Sequence, residues 1–256
     1  MSPESRPTNV YDEIGVDYTA NRQADPRIAR QIHSALGDAR SVVNVGAGTG
    51  AYEPSEREVL AVEPSRVMRA QRPPGGAPCI DATAESLPLP DRSFDAAMAI
   101  LSLHHWSDWR AGVSELRRVA RRRVVILTYD PAHGSRFWLL RDYLPELAAL
   151  DIKRFPSIEE QAVAAEATVV DRVPLPRDCR DGFLGAHWRR PHAYLDPGIR
   201  AGISTFQLPG AQALLGGLER LARDLGTGRW EQRNRGILDL PELDIGHRLI
   251  IARSEP

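Results

Sequence analysis

The chain has 256 residues, 42% of them hydrophobic, and a formal net charge of −1. It therefore holds enough apolar material for one large domain or two small ones, and it carries no overall field that would draw it to nucleic acid or a membrane surface. No apolar run reaches the roughly 18–20 residues of a membrane span, and the start lacks the apolar core of a secretory signal. Cys79 and Cys179 show neither metal nor redox spacing, which points to a reducing, cytoplasmic setting.

In chain order, Asp25 followed by Pro26 predicts a helix start, with Asp as N-cap and Pro in the first helical position. That helix extends to about Leu36 and stops at Gly37. The preceding stretch carries Tyr11, Tyr18 and Arg22, polar-tipped side chains able to fold over a ligand, so 10–36 reads as an N-terminal lid or as an arm packed on the domain. Val42, Val43 and Val45 form the β-branched run of a buried parallel strand. Gly46, Gly48 and Gly50 follow at once, a tight turn with no Cβ atoms to keep a nucleotide-like ligand from the backbone.

Residues 51–58 hold Pro54 and permit about one helical turn. A second strand, 59–63, ends in Glu63, where a parallel nucleotide fold hydrogen-bonds ribose hydroxyls. A short helix over 64–72 places Met68 on one face, against an adenine ring or in ordinary core. A turn at 73–76, a third strand at 78–80 and a fourth at 93–100 lead into Leu101, His104, His105 and Trp106. A helix over 108–120, with Val113, Leu116 and Val119 on one face, precedes a fifth strand at 124–127. This alternation describes a parallel, doubly wound sheet.

Beyond it, 137–150 reads as an amphipathic helix, and Ser157 with Glu160 as a capping box that starts another. Strands at 168–173 and 247–252 complete the sheet. The intervening 177–245, with a helix near 210–225, exceeds what the bare fold requires, and long insertions in a compact domain are usually functional. We read it as a mainly helical cap that shapes an acceptor pocket.

Five stretches in this order and spacing resemble the class I S-adenosylmethionine (SAM) dependent methyltransferases, in particular the type 11, small-molecule branch. They are 42–50, 62–65, 83–88, Phe94-Asp95 and 103–106, with the helix and strand after them. The resemblance implies a seven-stranded, mostly parallel sheet whose last strand is antiparallel. It divides the chain into a SAM-binding core, 41–176 plus 246–253, and the cap at 177–245. It implies methyl transfer from SAM to an O, N or C atom of a small organic acceptor.

The cofactor set it implies is Tyr18 and Arg22 in the lid, Asn44, Gly46, Ala47 and Gly48 at the first turn, and Glu63, Pro64 and Met68 after the second strand. Thr83, Ala84 and Glu85 follow beside the adenine, with Leu101 on the cofactor's other side. Three positions depart from the pattern. Asn44 and Thr83 stand where Asp is common, and Arg121–Arg123 replace a Pro-Gly-Gly loop before the fifth strand.

Other readings remain open at this level. Gly46, Gly48 and Ala51 satisfy a loose dinucleotide fingerprint, although an NAD fold needs a proper helix after the glycines and Pro54 leaves little room for one. A non-catalytic SAM-binding partner protein, or a SAM-dependent reaction other than methyl transfer, is also compatible. Methyl transfer from a sulfonium mainly requires alignment and dehydration of the partners, with a base only where the acceptor must lose a proton. His104 and His105, after the fourth strand, are the candidate bases, with His187, His192 and Tyr18 as rivals. No histidines and acids fall at metal-ligand spacing, and the arginines of 117–123 read as a solvated face rather than a nucleic-acid patch.

Overall fold

The computed structural model describes residues 23–208 and 211–253. Tyr11, Tyr18, Arg22 and the first half of the expected lid lie outside the described residues. The second half is helix α1, Pro26–Ala35, capped by the Asp25 carboxylate on the Arg27 N–H. Ile28, Ile32 and Ala35 turn inward, so α1 packs into the core.

Seven strands form one sheet: β1 Ser41–Val45, β2 Glu58–Val62, β3 Cys79–Ile80, β4 Phe94–Ile100, β5 Ala120–Tyr129, β6 Val169–Arg172 and β9 His247–Arg253, in the spatial order β3-β2-β1-β4-β5-β9-β6. The first five are parallel, and β9 runs antiparallel between β5 and β6. Strand side chains alternate between the faces, as the pleat demands. Val42, Met98, Val125 and Leu127 pack on one side with α1 and the cap, while Val43, Ala97, Val124 and Ile126 pack on the other. There they meet α3, Trp109–Val119, through Val113, Leu116 and Val119. Between β2 and β3 lies only the short α2, Arg66–Ala70, capped by Ser65.

Three expectations change. Residues 51–57 form turns without helix. No loop separates α3 from β5: Ala120 caps the helix and opens the strand, so Arg121–Arg123 are strand residues. Their charges are met within the chain, with Asp38 and Asp95 facing Arg122 and Asp95 facing Arg121. The amphipathic stretch 137–150 is not one helix. A π-helical turn, Leu139–Tyr143, ends before Pro145, which has no N–H to continue it, and a new helix, Pro145–Arg154, begins there. With the short Pro131–Gly134 turn as α4, that helix is α5; the Ser157–Glu160 capping box starts α6, Ile158–Ala165.

The cap has two sources in sequence. The insertion starts and ends at a small antiparallel pair, β7 Leu175–Pro176 with β8 Glu242–Leu243. Segment 131–155 packs into it: the Trp138 indole donates to the Trp188 carbonyl and lies edge-on to Tyr194 and Trp230, and the Tyr143 hydroxyl donates to Asp224. Asp224 belongs to the long cap helix Ala211–Gly226. No helix among the described residues is long and apolar enough to cross a membrane.

One buried polar knot ties cap to core. The Tyr52 hydroxyl donates to Asp181 of the insertion at 2.7 Å and accepts from the Asp25 N–H, and Tyr52 itself sits at φ 69°. A non-glycine residue there is strained by about 1–2 kcal/mol, so the knot must offset that cost. Tyr52→Phe leaves the Asp181 carboxylate short of a donor in a buried setting. The expected result is a loss of about 1–3 kcal/mol in urea unfolding, read as a lower midpoint at unchanged slope.

Candidate active site

The candidate site lies at the C-terminal edge of the parallel strands, where the turns after β1 and β4 lie side by side. After β1, Gly46, Gly48 and Gly50 have φ of 68°, 52° and 92°, a conformation in which side chains are strained. Space is closed as well: a Cβ on Gly46 would lie 2.6 Å from Ser102 Cβ, and one on Gly48 would lie 3.2 Å from Met68 Cε. The Gly46 and Ala47 N–H groups donate to the Val62 carbonyl, so the turn is anchored to β2. Across it, the Ser102 hydroxyl donates to the Val45 carbonyl, and Leu101 takes φ 51°.

Glu63 is buried at the tip of β2. One carboxylate oxygen accepts from the Gly48 N–H and the other from the Ser65 N–H, each at 2.8 Å. Burial raises its pKa, opposed by these two bonds and by Arg69 and Arg72. A carboxylate has about four acceptor directions, so each oxygen keeps one for a ligand diol.

Asn44 is buried beneath the turn and donates to Glu53 at 2.9 Å; Glu53 in turn pairs with Arg72 at 2.7 Å, and Arg72 also donates to the Gly48 carbonyl. The neighbour explains the residue: an Asp at 44 would put a second carboxylate against Glu53. Glu53 and Arg72 carry no motif signal, so their part in bracing the turn was not readable. Asn44 Oδ1 has no hydrogen-bond partner among the described residues.

Ala84 is buried, and Gly112 is packed so closely that a Cβ on it would lie 2.4 Å from the Trp106 ring and 3.2 Å from Ala84 Cβ. Thr83 is exposed, and Pro64 is half-buried. The Glu85 carboxylate accepts from the Ser107 hydroxyl and the Asp108 N–H, joining this loop to the start of α3.

Next to the β4 turn opens a pocket with about 670 Å³ of free space, part of it continuous with solvent. Leu101, His104 and Tyr129 line it from the core, Asp151 from α5 and Phe155 from its C-cap, and Phe183 and Ile203 from the insertion. His104 stacks on Phe155 at 4.0 Å, Tyr129 meets Phe155 edge-on at 5.4 Å, and Phe183 lies 4.7 Å from the His247 ring. His105 touches His104 but is exposed and does not line the pocket. Neither do His187 and His192; burial holds His187 down to about 4, and so neutral at pH 7, with Arg190 adding to the effect.

Asp151 is 3% exposed among these rings, and its Oδ1 has no hydrogen-bond partner among the described residues. Burial pushes its carboxyl up to about 7 against the pull of Arg154. Burial, with Asp151 and Asp130 nearby, raises the Tyr129 hydroxyl above its ordinary value. The sequence did contain a signal: Asp151 stands four residues after Leu147 on the buried stripe of α5, an acid where the helix needs an apolar residue.

These turns, the buried acid and the sheet order define a nucleotide-type cleft without the helix that a dinucleotide pyrophosphate requires after its glycines. A family model described as a methyltransferase domain matches residues 43–128. A crystal structure described as a candidate methyltransferase from an antibiotic biosynthesis pathway of Anabaena variabilis is 36% identical, covers 91% of this chain and 98% of its own, and superposes with a TM-score of 0.83. Among curated proteins, the uncharacterized methyltransferase YcgJ of Bacillus subtilis (strain 168) is 31% identical over 121 residues, 43% of this chain and 44% of its own. The chloroplastic 2-methyl-6-phytyl-1,4-hydroquinone methyltransferase 2 of Oryza sativa subsp. japonica is 31% identical over 110 residues, 39% of this chain and 31% of its own. The matched stretch is thus less than half the length of either curated relative.

The chain belongs to the class I SAM-dependent methyltransferase family, and the cofactor of that family is S-adenosylmethionine. The residues fit it. The glycine turn keeps open a cradle that a Cβ would fill, Glu63 keeps acceptor capacity for a diol, and buried Asn44 Oδ1 is an acceptor suited to an ammonium.

Two outcomes are expected. Asn44→Asp, which restores the commoner residue, lowers stability at pH 7 by about 1–3 kcal/mol, and Glu53→Gln in the same chain recovers most of that loss; urea midpoints of the four chains check the cycle. For Asp151, the raised native pKa means that proton binding stabilises the fold below the unfolded value of 3.8, and that this stabilisation is lost as pH rises to about 7. The advantage of Asp151→Asn over wild type therefore grows by up to about 4 kcal/mol across that window and is flat above it, as unfolding midpoints taken against pH will show.

Proposed function

We propose that the protein transfers a methyl group from SAM to a small organic acceptor bound in the aromatic pocket beneath the cap. The observation that carries this reading is a shared wall. The turn after β4 presses Ser102 against the glycine cradle and, in the same few residues, gives Leu101 and His104 to the pocket. Cofactor and acceptor sites back onto one another there, as a direct displacement requires. The rice relative, named for a hydroquinone, and the near-full-length match to the Anabaena structure support a small-molecule acceptor over a macromolecular one.

In this mechanism Gly46, Ala47 and Gly48 line the cofactor through their backbone, Glu63 takes its ribose hydroxyls, and Asn44 accepts from its amino group. Met68, Ala84 and Leu101 supply apolar contact, while Pro64, Thr83 and Glu85 border the same cleft. Tyr18 and Arg22, outside the described residues, are assigned to the same cofactor set by the family resemblance alone. Bound SAM supplies a methyl group already activated by the sulfonium charge. The cap excludes water and fixes the acceptor's approach. His104, facing the pocket, takes the acceptor's proton where the reaction demands it; His105 acts at most by holding the His104 ring. The paired arginines of the α3–β5 surface favour no nucleic-acid partner, and the two free thiols suit a cytoplasmic location.

Calorimetric titration with S-adenosylhomocysteine and, separately, with NAD tests the reading. Micromolar binding of the first alone is expected, abolished in Gly46→Val. Binding of NAD alone, or tight S-adenosylhomocysteine binding with no transfer to any acceptor in a broad screen, would refute it.

A further inference from the structure

Among the described residues that line the pocket, Asp151 is the one acid, set beside rings and aliphatic groups with Ser204 and Thr205 on the insertion side, and its place there has no structural reason that the fold supplies. It caps no helix, and its Oδ1 meets no donor among the described residues. The nearby Tyr129 hydroxyl is turned to Gly134, where a Cβ would lie 1.8 Å from it. Arg154, on the same helix, also keeps a buried N–H group, Nη1, without a partner among the described residues instead of bonding to Asp151. An acid this buried and this poorly satisfied costs stability wherever it sits, and a well-packed Leu would continue the Leu147 stripe.

The group is also placed for use. Phe155, the C-cap of α5 whose N–H donates to the Asp151 carbonyl, stacks on His104, which sits just after β4 on the wall shared with the cofactor cradle. A ring lying among Phe155, Phe183 and Tyr129 can therefore point a substituent at Asp151 while remaining beside the β4 turn.

We propose that Asp151 is the specificity-determining residue of the acceptor pocket: its carboxylate accepts a hydrogen bond from the hydroxyl or amino group of a planar, ring-bearing acceptor. It thereby selects proton-donating acceptors over isosteres that lack the proton, including an acceptor already methylated at that atom. This rests on the reading of the pocket as the acceptor site. A site built to receive a donor rejects an analogue without one far more strongly than an apolar pocket discriminates by size, because the buried acceptor is then left unpaired.

The test uses the full chain with S-adenosylhomocysteine present and two probes, 2-naphthol and its methyl ether 2-methoxynaphthalene, with binding read by naphthalene fluorescence and calorimetry. Read at pH 8.5, where the carboxyl is ionised, wild type is expected to prefer the naphthol by roughly tenfold or more, the scale of a hydrogen bond to a charged group. Asp151→Leu should bind the two equally or favour the ether. Asp151→Asn, which keeps an acceptor oxygen and the side-chain shape, should retain only part of the preference, and it serves if the Leu variant does not fold.

A preference that survives undiminished in Asp151→Asn or Asp151→Leu would trace to the size of the methyl group and overturn the assignment. Equal binding of both probes by wild type, or binding of neither, would overturn it as well. The same samples titrated with S-adenosylhomocysteine separate the two levels. If it binds and the naphthol preference is missing, Asp151 alone loses its role; if it does not bind, the methyltransferase reading falls with it.

Discussion

The grip of the Gly48 and Ser65 N–H groups on the Glu63 carboxylate is the contact on which the rest of the candidate cleft depends. An acid this buried stays ionised only if donors and positive charge surround it. The backbone can supply two N–H groups only if the turn after β1 comes up against the tip of β2. That approach requires the positive φ values of Gly46 and Gly48 and the absence of Cβ atoms facing Ser102 and Met68. The positive charge comes from Arg69 and Arg72. Arg72 is held by Glu53, and Glu53 accepts from Asn44 at the end of β1. A continuous polar chain thus runs from the acid of β2 back to β1, and each member accounts for the identity of the next.

Several strained and unpaired groups lie at the C-terminal edge of the parallel strands, while Arg92 and Glu166 take positive φ elsewhere and Gln161 and Trp230 also hold buried atoms without partners among the described residues. At that edge Leu101 and Tyr52 hold left-handed conformations, Asn44 Oδ1 and Asp151 Oδ1 are buried without partners among the described residues, and the open pocket lies between cap and strands. The interior of the sheet is regular, with valines, alanines and isoleucines alternating through both faces. Stability gained in that regular core offsets the cost of keeping polar groups and unusual backbone at the working edge. The cap shares this division. Its Trp138–Trp188–Trp230 interior is buried and its indole donors at Trp138 and Trp188 are satisfied, while Phe183 and Ile203 turn their surfaces to the pocket.

Local pattern made the core legible. The valines of β1, the glycine turn, the acid after β2, the Asp25-Pro26 and Ser157–Glu160 helix starts and the inward face of α3 are all short-range signals, and each element formed within a few residues of its expected bounds. Where local pattern misled, a backbone constraint intervened. Pro145 split one amphipathic run into a π-turn and a helix, and α3 ran straight into β5 where a loop was expected.

By itself, then, the sequence determined the order of strands and helices, the glycine cradle and Glu63, because those depend on residues adjacent in the chain. Only the tertiary structure decided what Asn44 is for, which of two neighbouring histidines faces the pocket, that 131–155 joins the insertion in the cap, and that Asp151 stands among its rings. Each of these depends on contacts between segments far apart in sequence. A side chain's meaning there comes from the neighbour that folding brings to it, and no spacing along the chain encodes that neighbour.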